Sequence, residues 1–453
     1  MRKNTKLTQN SAAPLFLLAL FLLPLIINPG LSLNFNDIFL NIKAIWTLTV
    51  ILPSAAYLIW YNRYRVDRIT AGLLAGWLYW VIVAGITSGV GTVLLTGAHD
   101  RLQGLPIYCT YALIALATYL WSKNDALSGE KLTLTLSWLA LPLGLYVALQ
   151  YYGFAGVVSG NAMAGVSATI AGATLGNRGY LAGCMALLLP LIATVASQSR
   201  WKLLFVFIVG FSLTASLTRG ALIAAAVGYA LWLVQGNAKC YAVHLALLLG
   251  LLTPLAHPNV NQTDLRKFGS STGGQAVTDS SGRTPLWNTA LYGIHLHPIL
   301  GWGPGQLLNV MAQRPDTQLI SEIKAQVVGR SVVRLPRNQD EPINWRIIGK
   351  GKWRNRVTEA TNAVHNEYLE YALAYGIPAA LLFLALFLLG FMRAWKRLPW
   401  AAASIAAYLI YLLTWPETVR FAPLAWAILG MSLASNAVLN HARDYKEQCQ
   451  EFS

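Results

Sequence analysis

Four residues combine a suitable type with a setting for chemistry on a charged group at a membrane surface. They are Arg178 in LGNRGYLAG, Arg219 in SLTRG, Arg283 in SGRTPLWNTALYGIHLHPILGWGPG and His365 in ATNAVHNEYLEYALAYG. Arginine keeps its charge and presents a planar fork to phosphate oxygens. An arginine in or beside an apolar block is costly unless paired, so each is a candidate anion site, with snorkelling to headgroups as the competing reading. Arg283 stands just before Thr284 and Pro285, which read as the N-cap and first position of a helix whose free NH groups favour an anion. Asn362 reads as the cap of a helix starting at Ala363, with His365 in its first turn. The positive end of that helix opposes protonation and leaves an imidazole suited to general-base work. The competing reading is a polar interfacial helix end, with Tyr368, Tyr371 and Tyr375 in an aromatic belt.

The elements that hold these residues follow from composition. Of 453 residues, 55% are hydrophobic and only 11% charged, well under the roughly 25% charged usual in soluble domains. The apolar residues collect in blocks such as PLFLLALFLLPLII and PAALLFLALFLLGF, which match a hydrocarbon core about 30 Å thick. The expected fold is an all-α polytopic membrane protein. The opening MRKNTK and its apolar run resemble a signal peptide, but the length of the block favours an uncleaved first span.

Basic residues recur between pairs of blocks: Arg2/Lys3/Lys6, Arg63/Arg65/Arg68, Lys123/Lys131, Arg200/Lys202, Lys239, Arg393/Lys396/Arg397 and Arg443/Lys446. If each marks the inside, seven inside segments require about twelve transmembrane helices with both termini cytoplasmic. The run from 203 to 235 would be about 50 Å long as one helix, too long for one crossing. It therefore reads as a hairpin with SLTRG at its outer tip. Residues 1–256 then hold nine spans and an outer segment at 151–179. Residues 257–362 form a large outer loop, 363–439 three further spans, and 440–453 a cytoplasmic tail. The loop carries thirteen Lys/Arg against seven Asp/Glu. Its basic middle, from Gln313 to Arg356, suits either phosphates of a substrate or anionic headgroups.

Several classes are disfavoured. The net charge of +16 lies in the inside clusters and this loop, which fits lipid headgroups and an anionic ligand better than nucleic acid. Cys109, Cys184, Cys240 and Cys449 have no paired spacing. His257, His295, His297 and His365 lack the acidic partners or spacing of a zinc site, so no metal is expected. No Walker A sequence or DxD pair occurs, so no ATP-driven step or cofactor is expected.

The order SLTRGAL, then SGRTPLWNTALYGIHLHPILGWGPG, then VHNEYLEYALAYGI, with LGNRGYLAG before them, resembles the O-antigen ligase and polymerase superfamily. The resemblance covers most of the chain and implies a membrane glycosyltransferase of C-type architecture, with a large, partly helical periplasmic loop in a bacterial inner membrane. It implies an undecaprenyl pyrophosphate-linked glycan as donor and the lipid A–core of lipopolysaccharide as acceptor, without metal or ATP. By motif, His365 matches the family's catalytic histidine, Arg219 its arginine after the small-residue turn and Arg283 the one opening the loop helix. Arg178 matches more loosely, and the three arginines read as the cations that hold the donor pyrophosphate. Polymerisation of repeat units and transfer to protein remain open within the superfamily. A transporter of an anionic lipid-linked substrate is the reading from another class.

Overall fold

Each apolar block of the sequence folds as helix. The computed structural model describes residues 5–28, 37–62, 64–97, 102–154, 171–237, 239–256, 283–314, 331–334, 343–349, 352–359 and 363–435. Among the described residues, seven helices are long and apolar enough to cross a membrane: Phe39–Tyr61, Arg68–Thr87, Leu105–Asn124, Ser128–Tyr151, Arg178–Ser197, Arg219–Gly236 and Glu367–Ala394. Shorter apolar helices occupy Ala12–Leu22, Tyr241–Ala256, Pro399–Leu412 and Ala422–Ser435. A further apolar helix runs over Leu203–Ala215. The chain is thus a helical, polytopic membrane protein. Each of the twelve expected blocks contains one of these helices, but five of them fall short of a full crossing in length.

The long run from 203 to 235 is divided as its length required. Leu217, at φ +48°, turns the chain between Leu203–Ala215 and the helix opening at Arg219. Both halves pack on Arg178–Ser197, the most buried of the long helices. Trp232 Nε1 donates to Thr194 Oγ1 at 2.8 Å, near the C-terminal ends of both their helices. Gly228 lies against Pro190 and Ala407. The Arg219 helix therefore runs in the same direction as the Arg178 helix, and the two arginines open their helices at the same end of the bundle.

The opposite end is clamped by charge. Asp67 caps Arg68–Thr87 by accepting from Thr70 N at 3.0 Å. It also receives the Tyr119 hydroxyl at 2.9 Å and two Arg393 nitrogens at 2.9 Å each. Arg393 donates in addition to Leu433 O at 2.8 Å, so three helices meet at one guanidinium. The Arg393 bonds hold the Asp67 carboxyl well below the usual carboxylate range; partial burial opposes them, and the Thr70 and Tyr119 bonds add to them. A depressed folded-state value stabilises the fold above the unfolded pKa of about 3.9, and the benefit is lost as pH falls through the folded value. Melting temperature should therefore fall on acidification below about pH 4. Asp67→Asn should melt lower at neutral pH and lose this share of the acid sensitivity.

The bundle is helical as expected, and the loop within 257–362 adds a small sheet to it. Strands β1 (Ser331–Arg334), β2 (Ile343–Gly349) and β3 (Lys352–Glu359) form an antiparallel sheet in the order β1-β2-β3. Ser331 pairs with Ile348, and Gly349 with Lys352. The β-branched and aromatic residues of SVVR, INWRIIG and KWRNRVTE favour strands, but the interleaved basic residues hide them from a search for apolar blocks.

The loop is fastened to the bundle through backbone. Glu367–Ala394 is kinked at Gly376, which has φ +83°, two residues before Pro378. Two carbonyls beside the kink, Leu373 and Ala374, accept from Trp302 N and Gly303 N at 2.8 Å each, and Ile377 N donates to Pro298 O at 2.8 Å. A Cβ on Gly376 would strike the Ile299 carbonyl. GWGPG is thus the turn that docks the loop on a broken helix, and its Gly303 adopts φ +90° to do so.

Candidate functional site

Arg178 is the first residue of its helix, where Asn177 Oδ1 accepts from Gly179 N at 2.8 Å. The irregular stretch before it is buried, and side chains from elsewhere satisfy its backbone. Gln150 Oε1 accepts from Gly172 N at 3.2 Å and Ala173 N at 2.7 Å. Lys43 Nζ donates to Thr174 O at 3.0 Å, and Arg420 Nη1 to Leu175 O at 2.7 Å. Non-helical backbone at membrane depth is tolerated where protein provides such partners. The remainder of the expected outer segment, 155–170, lies outside the described residues.

Arg283 precedes the loop helix Thr284–Leu296, which starts one residue earlier than its TP dipeptide suggested, with Arg283 itself at the cap position. Arg314 ties this helix to the loop by donating to Thr289 Oγ1 at 2.9 Å. The Arg283 guanidinium lies over the Trp415 ring, 5.2 Å from its centroid. Burial lowers its pKa from the usual guanidinium value; the like charge of Arg178 lowers it further, while Tyr411 opposes both. Arg178 and Arg283 are therefore near enough to repel one another, yet both remain cations.

His365 departs from its expected position. The helix begins at Glu367, with Asn366 as its cap: Asn366 Oδ1 accepts from Leu369 N at 3.1 Å. Asn362 lies outside the described residues. His365 stands just before the cap, at φ +58°. Glu370 Oε2 reaches back to Val364 N at 2.8 Å, which fixes the chain on the other side of His365. The imidazole meets the Trp415 ring edge to face, with centroids 5.5 Å apart. It remains beside the positive end of a helix, as the base assignment requires.

Trp415 therefore joins two of the four residues singled out in the sequence. Tyr180 also packs on it at 5.7 Å, and Gly179, next to Arg178, approaches so closely that a Cβ there would enter the indole. Gly220, next to Arg219, lies against the Thr414 side chain. Arg178, Arg219, Arg283 and His365 are thus gathered around the Thr414–Trp415 segment at one end of the bundle, with Arg219 exposed and the others half-buried. Three cations with an imidazole beside them can hold a phosphate-type anion and accept a proton next to it. His295 and His297 stand at the far end of the loop helix. Among the described residues, no group of three His, Cys, Asp or Glu side chains is placed to hold a metal ion. His257 and most of the basic stretch 313–356 lie outside the described residues.

Residues 203–384 match the family model described as O-antigen ligase. Over these residues the chain is similar to that family. The match supports membership of that superfamily, and no curated protein matches the chain. The matched stretch includes Arg219, Arg283 and His365, while Arg178 and Trp415 lie on either side of it.

Outside the matched stretch, the structure adds residues that the sequence reading missed. Fully buried Glu417 accepts from Tyr408 OH at 2.7 Å, Trp426 Nε1 at 3.0 Å and Tyr371 OH at 3.1 Å. Its own N–H donates to Glu367 Oε2 at 2.7 Å. The segment carrying Trp415 is thereby bolted to the start of the His365 helix. Arg420, nearly fully buried, lies over Tyr180 at 4.7 Å. The available signals were WPETVR between the last two apolar blocks and Lys43 within the second. Both put charge where a bilayer penalises it.

Proposed function

We propose that this protein is an O-antigen ligase-type membrane glycosyltransferase, transferring a glycan from undecaprenyl pyrophosphate to the lipid A–core of lipopolysaccharide. In this reading it is a twelve-span inner-membrane protein with both termini cytoplasmic, and Trp415 faces the periplasm. The observation that carries the proposal is the meeting of Arg283 and His365 on one indole ring, with Arg178 close by.

Arg178, Arg219 and Arg283 hold the donor pyrophosphate, where negative charge accumulates as the anomeric C–O bond breaks. The acceptor hydroxyl attacks the anomeric carbon from the opposite face, a new C–O bond forms, and His365 takes the hydroxyl proton. The leaving group is undecaprenyl pyrophosphate, and the configuration inverts. Cleavage of the pyrophosphate-linked sugar drives the transfer, so no nucleotide is consumed, and the arginines perform the electrostatic work without a metal.

The test is transfer by purified protein in nanodiscs containing the lipid-linked donor and lipid A–core, with EDTA and no ATP. Transfer by the wild type, lost in a folded His365→Ala variant, supports the proposal. Longer glycans on the donor would indicate a polymerase, and donor binding without any turnover would indicate a transporter. Trp415→Leu keeps bulk but loses the aromatic face. It should slow transfer about 10- to 30-fold, matching a desolvated cation–π contact of about 2 kcal/mol, and Trp415→Phe should recover most of the rate.

A further inference from the structure

The outer loop contains a stretch that does not belong in water. From Thr284 to Gln313 it has no Asp, Glu, Lys or Arg, although the loop around it is strongly basic. Within this stretch the chain bends after the loop helix, and Leu296, Ile299 and Leu300 stand 43%, 61% and 38% exposed. They lie beside a helix surface that is itself apolar and exposed at Ile377 and Leu381.

Two helices measure the depth of this tip. Ile299 O accepts from Trp80 Nε1 at 3.3 Å. Trp80 is twelve residues from Arg68, at the clamped end of its helix, or about 18 Å along the axis. The tip also docks at Gly376, seventeen residues from Arg393 at the same end, or about 26 Å. Both lengths are less than the roughly 30 Å of a hydrocarbon core, and helix tilt only shortens them. The bonds at Gly376 hold the backbone of the tip at this level, so its exposed side chains share the surroundings of Leu381.

We infer that residues 296–300 form a membrane-inserted tip, with Leu296, Ile299 and Leu300 in contact with lipid acyl chains. The tip enters the leaflet on the Trp415 side and anchors the far end of the helix that Arg283 opens. Its occupant is the bilayer, because the exposed apolar surface continues onto a helix built to cross one. Insertion by about 5–10 Å is the depth at which interfacial apolar segments bind, and the flanking His295 and His297 suit the polar boundary there.

Spin labels test this without any assay of activity. Native cysteines are replaced, the chain is placed in nanodiscs, and labels are attached at Ile299→Cys, at Leu381→Cys as the lipid reference and at Gln313→Cys as the water reference. Relaxation at position 299 should be accelerated by oxygen more than by a water-soluble nickel chelate, as at 381. A response like that of 313 overturns the inference. So does shielding from both reagents, which would mean that protein covers the tip. If labelling at 299 disrupts the fold, a photoreactive benzophenone side chain at Leu296 provides the second reading: lipid adducts support insertion, and adducts to protein or water alone overturn it.

Discussion

His365→Gly is expected to reduce glycosyl transfer by 10²-fold or more while leaving the protein about as stable as wild type. The loss follows from removing the general base, whose usual contribution is about 10²- to 10⁴-fold. The preserved stability follows from the backbone. At φ +58°, a non-glycine residue costs roughly 1–2 kcal/mol, which glycine avoids. Against that relief stand the extra unfolded-state freedom of glycine and the lost edge contact with Trp415, each worth about 1 kcal/mol. Thermal unfolding in nanodiscs alongside turnover checks both halves. A large fall in melting temperature would make His365 a structural residue, and unchanged turnover would end its assignment as the base.

Glu417→Ala should produce the largest loss of stability. The carboxylate is fully buried and accepts from Tyr371, Tyr408 and Trp426. Its removal strands three donors, at about 1–3 kcal/mol each, so a loss of several kcal/mol is expected. Glu417→Gln keeps one acceptor oxygen and should fall between the two. Glu417→Ala keeps the backbone bond to Glu367 but loses the bond from Tyr371. Trp415 is then held less firmly to the His365 helix, and transfer should fall even at temperatures where the variant remains folded. Denaturation midpoints for the three proteins, measured together with their rates, test this. Equal midpoints would show that the segment is held by packing alone.

These two residues also divide what could be read from the sequence from what could not. His365 stood out because a histidine with adjacent acidic residues precedes an apolar block. Its exact setting did not, because Asn362 and Asn366 are both competent caps by type. The structure places the cap at Asn366, where Glu370 takes the Val364 N–H and Glu367 takes the N–H of Glu417. The second of these contacts joins segments some fifty residues apart, beyond the reach of local pattern.

The sequence by itself determined the helical membrane class, the break at SLTRG and the residue types fit to hold an anion. Block length and charge placement are set by the bilayer, which acts on each segment separately. Tertiary structure alone decided the convergence on Trp415, the buried Glu417 network, the docking of GWGPG on the Gly376 kink and the small sheet of the loop. Each depends on which distant surfaces meet, and packing complementarity between helices is not written in the hydropathy of either partner.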